Sequence, residues 1–161
     1  MITTRLDVMA SRESIELAYH NTLPVFEWLE QHADELRIDT DRIAAGGQSR
    51  GGFLATTLAY APVSADGEPR LIAAAVSIAG GSAPDLIEPG EPPALMLHGD
   101  ADGRVPIALA EQTCNAAAEQ GVECTLVVYP GRGHSIGVTN DLTFDIWDRI
   151  ARFLVDALDL A

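Results

Sequence analysis

A short glycine-rich stretch, which separates an apolar run from a helix-like segment, most constrains how this chain can fold. It reads Gly-Gly-Gln-Ser-Arg-Gly-Gly over residues 46–52 and contains the pattern Gly47-x-Ser49-x-Gly51. A serine at the tip of a sharp strand-to-helix turn has a strained backbone, and we expect side chains at the two flanking glycine positions to collide. Such a turn exposes the hydroxyl at a helix N-terminus, which favours negative charge nearby. Taken alone, the stretch is equally compatible with a flexible loop.

The charge and composition of the chain exclude several classes of partner. The 161 residues carry a net charge of −14, and all ten basic residues are arginine. Nucleic-acid binding needs basic patches that neutralise phosphates, so we expect no nucleic-acid partner. No stretch approaches the roughly 18 continuous apolar residues of a membrane span, and the N-terminal residues lack the apolar region of a signal peptide. We therefore expect one soluble, cytoplasmic domain over residues 1–161, without a membrane partner.

Apolar periodicity predicts strands that alternate with helices. Strands are predicted at 43–45, 71–79, 94–98 and 122–129, and helices at 14–36, 53–60, 107–120 and 139–158. Pro24 either kinks the first helix or lies in the first turn of a second helix that begins near Thr22, and Gly121 is placed to end the third. Residues 4–9 alternate weakly and are compatible with a further strand. This order predicts a three-layer α/β/α domain with a mostly parallel sheet.

The two cysteines, Cys114 and Cys124, lie on a predicted helix and on the strand that follows it. No C-x-x-C or Cys/His spacing is present, so we expect no metal site and no redox function based on these residues. We expect buried free thiols, with a disulfide as the alternative.

Reactive side chains follow three of the predicted strands, in the order Ser, Asp, His. Ser49 follows the first strand, Asp100 and Asp102 follow the third, and His134 follows the fourth. Ligands bind beyond the carboxyl ends of strands in parallel sheets, so these side chains are expected at one edge. A serine hydroxyl is a weak nucleophile unless an imidazole accepts its proton and a carboxylate orients that imidazole.

These motifs resemble the C-terminal portion of the α/β-hydrolase superfamily, specifically its lidless esterase and dienelactone-hydrolase-like branch, with the first strands absent. The matching segments are 41–52, 93–106 and 129–134. The family pattern His-Gly-x-x-Asp-x-x-Val-Pro, which begins at His98, implies that Asp102 rather than Asp100 is the acid of a catalytic triad. We expect Asp100 to fix the turn through backbone amides and His98 to be structural.

The resemblance implies a serine carboxylic-ester hydrolase that needs no metal or cofactor. Ser49 would be the nucleophile, His134 the base and Asp102 its orienting acid, while the Arg50 amide would bind the oxyanion. Gln48 and Arg50 flank the nucleophile and are expected to touch the substrate. The short connection before the third strand leaves no cap domain, which favours small or extended acyl esters.

Three alternatives to an esterase stay open. One is a serine peptidase of the prolyl-oligopeptidase type. A second is a dienelactone hydrolase, although that enzyme usually has cysteine in place of Ser49. The third is a catalytically weak or non-catalytic scaffold.

The chain departs from the family pattern before the glycine-rich stretch. About 40 residues precede it, which leaves no room for the family's first strands or for the loop that supplies a second oxyanion donor. Loss of one such donor typically costs about 100- to 1,000-fold in rate. The first strand is then expected at an exposed sheet edge. A longer protein, a homodimer or a local cap by residues 4–9 would each explain this edge, and we favour a truncated or minimal form that dimerises.

Overall fold

A sheet of four strands, in which every neighbouring pair is parallel, forms the centre of the fold. The computed structural model describes residues 12–60, 71–82, 84–136, 141 and 143–160. In spatial order the strands are β1 (Ala44–Gln48), β2 (Ala74–Ile78), β3 (Ala94–Gly99) and β4 (Cys124–Tyr129). Each overlaps one predicted strand, and the weak prediction at residues 4–9 falls outside the described residues.

Five helices accompany these strands in the described part of the chain. They are α1 (Arg12–Gln31), α2 (Ala33–Leu36), α3 (Arg50–Tyr60), α4 (Ala108–Glu119) and α5 (Thr143–Ala157), with 3-10 turns at Thr40–Arg42 and Pro84–Leu86. Pro24 lies inside α1, so the helix continues through it and no second helix begins near Thr22. Gly121 follows α4 with a φ of +70°, the left-handed conformation predicted for it.

Helices cover both faces of the sheet, which confirms the three-layer α/β/α prediction. On one face, side chains of α1, α3 and α4 pack in one cluster with small strand residues such as Ala75 and Ala94. On the other face, Ile146 and Ile150 of α5 pack in a second cluster with Val76 and other strand residues. The central strand β3 is consequently buried along its whole length, as expected of a strand covered on both sides.

Strand β1 lies at one edge of the described sheet and pairs there with β2. None of its residues is fully buried, in contrast to β3. The sequence predicted this edge position. A homodimer formed through the edge stays a prediction, which the solution mass measured by light scattering would test.

The two cysteines form a disulfide, so the expectation of free thiols is wrong. Gly121 turns the chain back directly after α4, which lets α4 lie against β4. Cys114 on the helix and Cys124 at the start of the strand then come within 5.1 Å, measured between Cα atoms. That separation suits a disulfide. Disulfides are uncommon in reducing compartments such as the cytoplasm, so this disulfide is an argument against the predicted cytoplasmic location. The location itself stays a prediction.

Candidate active site

Ser49 occupies the turn between β1 and α3 with a backbone φ of 56°, in the left-handed region that non-glycine residues rarely adopt. Two backbone hydrogen bonds hold it there. Its amide donates to the carbonyl of Ile78 at 2.7 Å, and its carbonyl accepts from the amide of Phe53 at 3.0 Å. The neighbouring strand and the first turn of the helix therefore maintain the strained conformation.

The two glycines of the pattern around Ser49 have different surroundings. A Cβ atom added to Gly47 would lie 2.6 Å from the carbonyl carbon of Gly51, closer than any real contact. A Cβ atom added to Gly51 would meet nothing within 4 Å. The expectation that side chains at both positions collide is therefore correct for Gly47 and wrong for Gly51, because the space around the Cβ position of Gly51 is open.

Three side chains from separate strand ends form a continuous chain of hydrogen bonds. The Oγ of Ser49 lies 2.9 Å from Nε2 of His134. The Nδ1 of His134 lies 2.8 Å from Oδ2 of Asp102. With Asp102 ionised, Nδ1 carries the proton and donates to the carboxylate, so Nε2 is free to accept from the serine hydroxyl.

The Asp102 carboxylate is buried and surrounded by donors. Its side chain is 0% exposed, while that of His134 is 13% exposed. The Oδ1 atom of Asp102 accepts from the amides of Arg104 at 2.8 Å and Val105 at 3.0 Å. Burial raises the pKa of Asp102, but the hydrogen bonds from Val105, His134 and Arg104 outweigh burial and hold the pKa below its ordinary value. Asp102 is therefore an anion at neutral pH.

His98 contacts the same carboxylate from inside the protein. It is 1% exposed, and its Nε2 lies 2.9 Å from the carbonyl oxygen of Val105 and 3.3 Å from Oδ2 of Asp102. Both partners are acceptors, so Nε2 carries the proton. The structural role predicted for His98 therefore includes a contact with the carboxylate itself, which its place at the end of β3 did not indicate.

The loops that carry Asp102 and His134 are joined to each other. Asp100 Oδ1 accepts from the amide of Gly131 at 2.6 Å, and the amide of Ala101 donates to the carbonyl of Arg132 at 3.0 Å. The expectation that Asp100 bonds backbone amides is thus correct in kind, but the amide belongs to the neighbouring loop. Asp102 itself bonds the amides of the turn after β3.

Gln48 and Arg50 flank Ser49, as their positions in the sequence require. The side-chain Nε2 of Gln48 donates to the backbone carbonyl of His134 at 2.9 Å. The sequence does not indicate this contact, since no local pattern connects residues 86 positions apart. The expected contact of Gln48 with substrate stays a prediction. Arg50 begins α3 with an exposed side chain. Its amide lies in the first turn, where amides have no acceptor within the helix.

Among the described residues, no group of three or more His, Cys, Asp or Glu side chains is arranged to hold a metal ion. No helix in the same part of the chain is both long enough and apolar enough to cross a membrane.

The fold and the half-buried serine turn define an α/β protein with a candidate site at the carboxyl edge of its sheet, and a comparison with known families shows to which family this protein belongs. A profile of the alpha/beta hydrolase fold family matches residues 8–89, about half of the chain. The chain belongs to this family. A profile of the prolyl oligopeptidase family matches residues 84–161. The first match contains Ser49, and the second contains Asp102 and His134. No curated protein matches the chain in sequence.

Solved structures of one esterase resemble this protein over about four fifths of its chain. A thermophilic esterase from the Planctomycetes species Thermogutta terrifontis is 25% identical, with a TM-score of 0.73, over 82% of this chain and 61% of that one. The same organism's esterase 2 phosphorylated by paraoxon is 28% identical, with a TM-score of 0.71, over 82% and 60%. Its propionate-bound form is 25% identical, with a TM-score of 0.70, over 81% and 61%. The chain thus spans about three fifths of the length of these structures.

Proposed function

We propose that this protein is a serine hydrolase that cleaves carboxylic esters through a covalent acyl-enzyme. One observation carries the proposal: the unbroken chain of hydrogen bonds from Ser49 through His134 to the buried Asp102. The esterase activity of the Thermogutta terrifontis structures supports it, at 25–28% identity.

The proposed reaction begins when Ser49 Oγ attacks the acyl carbon and its proton passes to Nε2 of His134. Asp102 stabilises the imidazolium that forms. Negative charge develops on the former carbonyl oxygen and is stabilised by the amide of Arg50. The carbon–oxygen bond to the leaving alcohol then breaks, and the alcohol takes the proton from Nε2. Water repeats the sequence on the acyl-enzyme, releasing the carboxylic acid and restoring Ser49.

Small or extended acyl esters are the proposed substrates. The connection from β2 to β3 contains a single-turn 3-10 helix at Pro84–Leu86 among its described residues, so this connection contributes no large cover over the carboxyl edge of the sheet. The propionate-bound form of the related esterase is consistent with a short acyl group. We propose no metal and no organic cofactor, because the serine reaction needs neither.

Hydrolysis of p-nitrophenyl acetate, propionate and butyrate tests the proposal. Ser49→Ala is expected to lower the rate by at least about 1,000-fold. Ser135→Ala is the matched control, because Ser135 is an exposed serine on the loop of His134 and is expected to retain wild-type activity. Equal rates for wild type and Ser49→Ala would reject the proposal.

A fluorophosphonate probe distinguishes an enzyme from a non-catalytic scaffold. Only an activated serine attacks such a probe, and the related esterase 2 is phosphorylated by paraoxon. We expect stoichiometric labelling of wild type at Ser49. A wild-type protein that stays unlabelled would favour the scaffold.

A serine peptidase is the second candidate, favoured by the match of residues 84–161 to the prolyl oligopeptidase family. The same three side chains would then cleave an amide bond. The test compares benzyloxycarbonyl-Gly-Pro-p-nitroanilide with p-nitrophenyl butyrate. If the Ser49-dependent kcat/KM is higher for the anilide than for the butyrate ester, the peptidase is the better description of the function.

A further inference from the structure

The loop that carries His134 must extend across the sheet to reach Ser49. His134 follows β4, at one edge of the described sheet, and Ser49 follows β1, at the opposite edge. Three strand spacings of roughly 4.8 Å separate these edges by about 14 Å. An imidazole presented over that span is placed accurately only if the loop is anchored on the β1 side as well as near β4.

Near β4, hydrogen bonds to the neighbouring loop anchor the segment that carries His134. Gly131 and Arg132 bond Asp100 and Ala101 of the neighbouring loop. Beyond His134, Ile136 is 1% exposed and packs in the core cluster beneath α5. These contacts hold described loop residues on both sides of His134, but neither involves β1, toward which the loop crosses.

On the β1 side, two side chains bond His134. One is Ser49 through its hydroxyl, but this bond is consumed in the proposed reaction and is lost once the serine is acylated. The other is Gln48, whose Nε2 donates to the His134 carbonyl at 2.9 Å. A bond to the backbone carbonyl is compatible with every protonation state of the imidazole, so it persists through the reaction cycle.

We propose that Gln48 is a positioning residue that holds His134 over Ser49. This inference rests on the proposed hydrolase function, and it replaces the expectation that Gln48 binds substrate. The contact requires a donor, because the partner is a carbonyl oxygen with no proton to give. Gln48 occupies the last position of β1, directly before Ser49, so the strand that presents the nucleophile also fixes its base.

Gln48→Met tests the inference, since methionine keeps the length of the side chain and removes the donor. We expect kcat for p-nitrophenyl butyrate to fall by about 10- to 100-fold with KM changed less than twofold. Reaction with a small fluorophosphonate, which has little acyl chain to bind, is expected to slow by the same factor. Gln120→Met, at an exposed position after α4, is the matched control and is expected to change neither.

Two kinetic results would overturn the inference. One is a kcat for Gln48→Met within twofold of wild type. The other is a raised KM with an unchanged rate of labelling by the fluorophosphonate, which would indicate that Gln48 binds substrate. A melting temperature close to that of wild type shows that the variant is folded.

A spectroscopic measurement separates failure of this inference from failure of the proposed function. The proton on Nδ1 of His134, shared with Asp102, is expected to give a downfield NMR resonance that is absent from His134→Gln. We expect Gln48→Met to shift or broaden it, whether or not wild type hydrolyses esters. An unchanged resonance overturns the positioning role. If the resonance changes but wild type shows no Ser49-dependent turnover, Gln48 positions His134 and the proposed esterase function is rejected.

Discussion

The Nε2 atom of His98 lies 3.3 Å from Oδ2 of Asp102, the same oxygen that faces Nδ1 of His134. The Nδ1–H of His134 donates to this oxygen, the Nε2–H of His98 approaches it while donating to the carbonyl of Val105, and two backbone amides bond the other oxygen. The carboxylate is therefore held by donors alone, and this requirement explains why a buried anion is tolerated at the end of β3.

Asp102→Asn is expected to lower kcat by about 1,000- to 10,000-fold. An asparagine can still accept from the two backbone amides with its oxygen, but its NH2 group would then face the N–H groups of His98 and His134. The imidazole of His134 would be forced into the wrong tautomer. Steady-state ester hydrolysis measures the effect.

Asp100→Asn is the control for this substitution. Asparagine keeps an oxygen that can accept from Gly131, so we expect less than a tenfold change in kcat. Near-normal activity in Asp102→Asn together with a large loss in Asp100→Asn would transfer the role of acid to Asp100.

The stability of the protein is expected to depend on pH through Asp102. The pKa of this carboxyl is lowered from its ordinary value of 3.8 in the folded protein, so the unfolded chain binds the proton more readily. The stabilising contribution is complete above the ordinary pKa and is lost as pH falls through the folded value. The difference in unfolding free energy between wild type and Asp102→Asn should shrink as the pH falls below about 4.

Urea denaturation at successive pH values measures that difference. Wild type and Asp102→Asn carry the same other titrating groups, so a change in their difference below about pH 5, where a carboxyl titrates, reports this carboxyl. A difference that widens as the solution becomes more acidic would contradict the assignment of Asp102 as a stabilised anion.

Substitutions at the two glycines of the serine turn are expected to have opposite outcomes. Gly47→Ala would place a methyl group 2.6 Å from the backbone of Gly51, which forces β1 and α3 apart. We expect it to abolish activity and to destabilise the fold by about 3 kcal/mol or more. Gly51→Ala meets open space within α3 and should stabilise by about 0.5–1 kcal/mol. Thermal melts and ester hydrolysis of both variants test the pair, and a harmless Gly47→Ala would refute the steric argument.

The Cys114–Cys124 disulfide is expected to stabilise the fold without taking part in catalysis. It closes a short loop, for which the entropic contribution is about 2–3 kcal/mol. It lies at the start of β4, while His134 follows the other end of that strand. Reduction should therefore lower the urea midpoint of wild type and leave the activity of the folded protein unchanged.

The Cys114→Ser, Cys124→Ser double variant is the control, and its midpoint should not respond to reductant. If the urea midpoint of wild type is the same with and without reductant, no disulfide stabilises the fold.

Features that depend on neighbours in the sequence were predictable. Apolar periodicity located all four described strands, and their alternation with helices implied a parallel sheet. A parallel sheet brings the carboxyl ends of its strands to one edge, which is why the order of Ser49, Asp102 and His134 indicated a common site. The requirement for glycine at position 47 could also be predicted, because it follows from the sharpness of the turn.

Contacts between distant loops were decided by the tertiary structure alone. The bond from Gln48 to His134, the contact of His98 with Asp102 and the disulfide between Cys114 and Cys124 each depend on how a loop or helix lies over the sheet. Secondary-structure propensity reports the conformation of a segment and not the direction in which its connection returns. The sequence therefore determined which groups meet at the edge of the sheet, and packing determined what holds them in place.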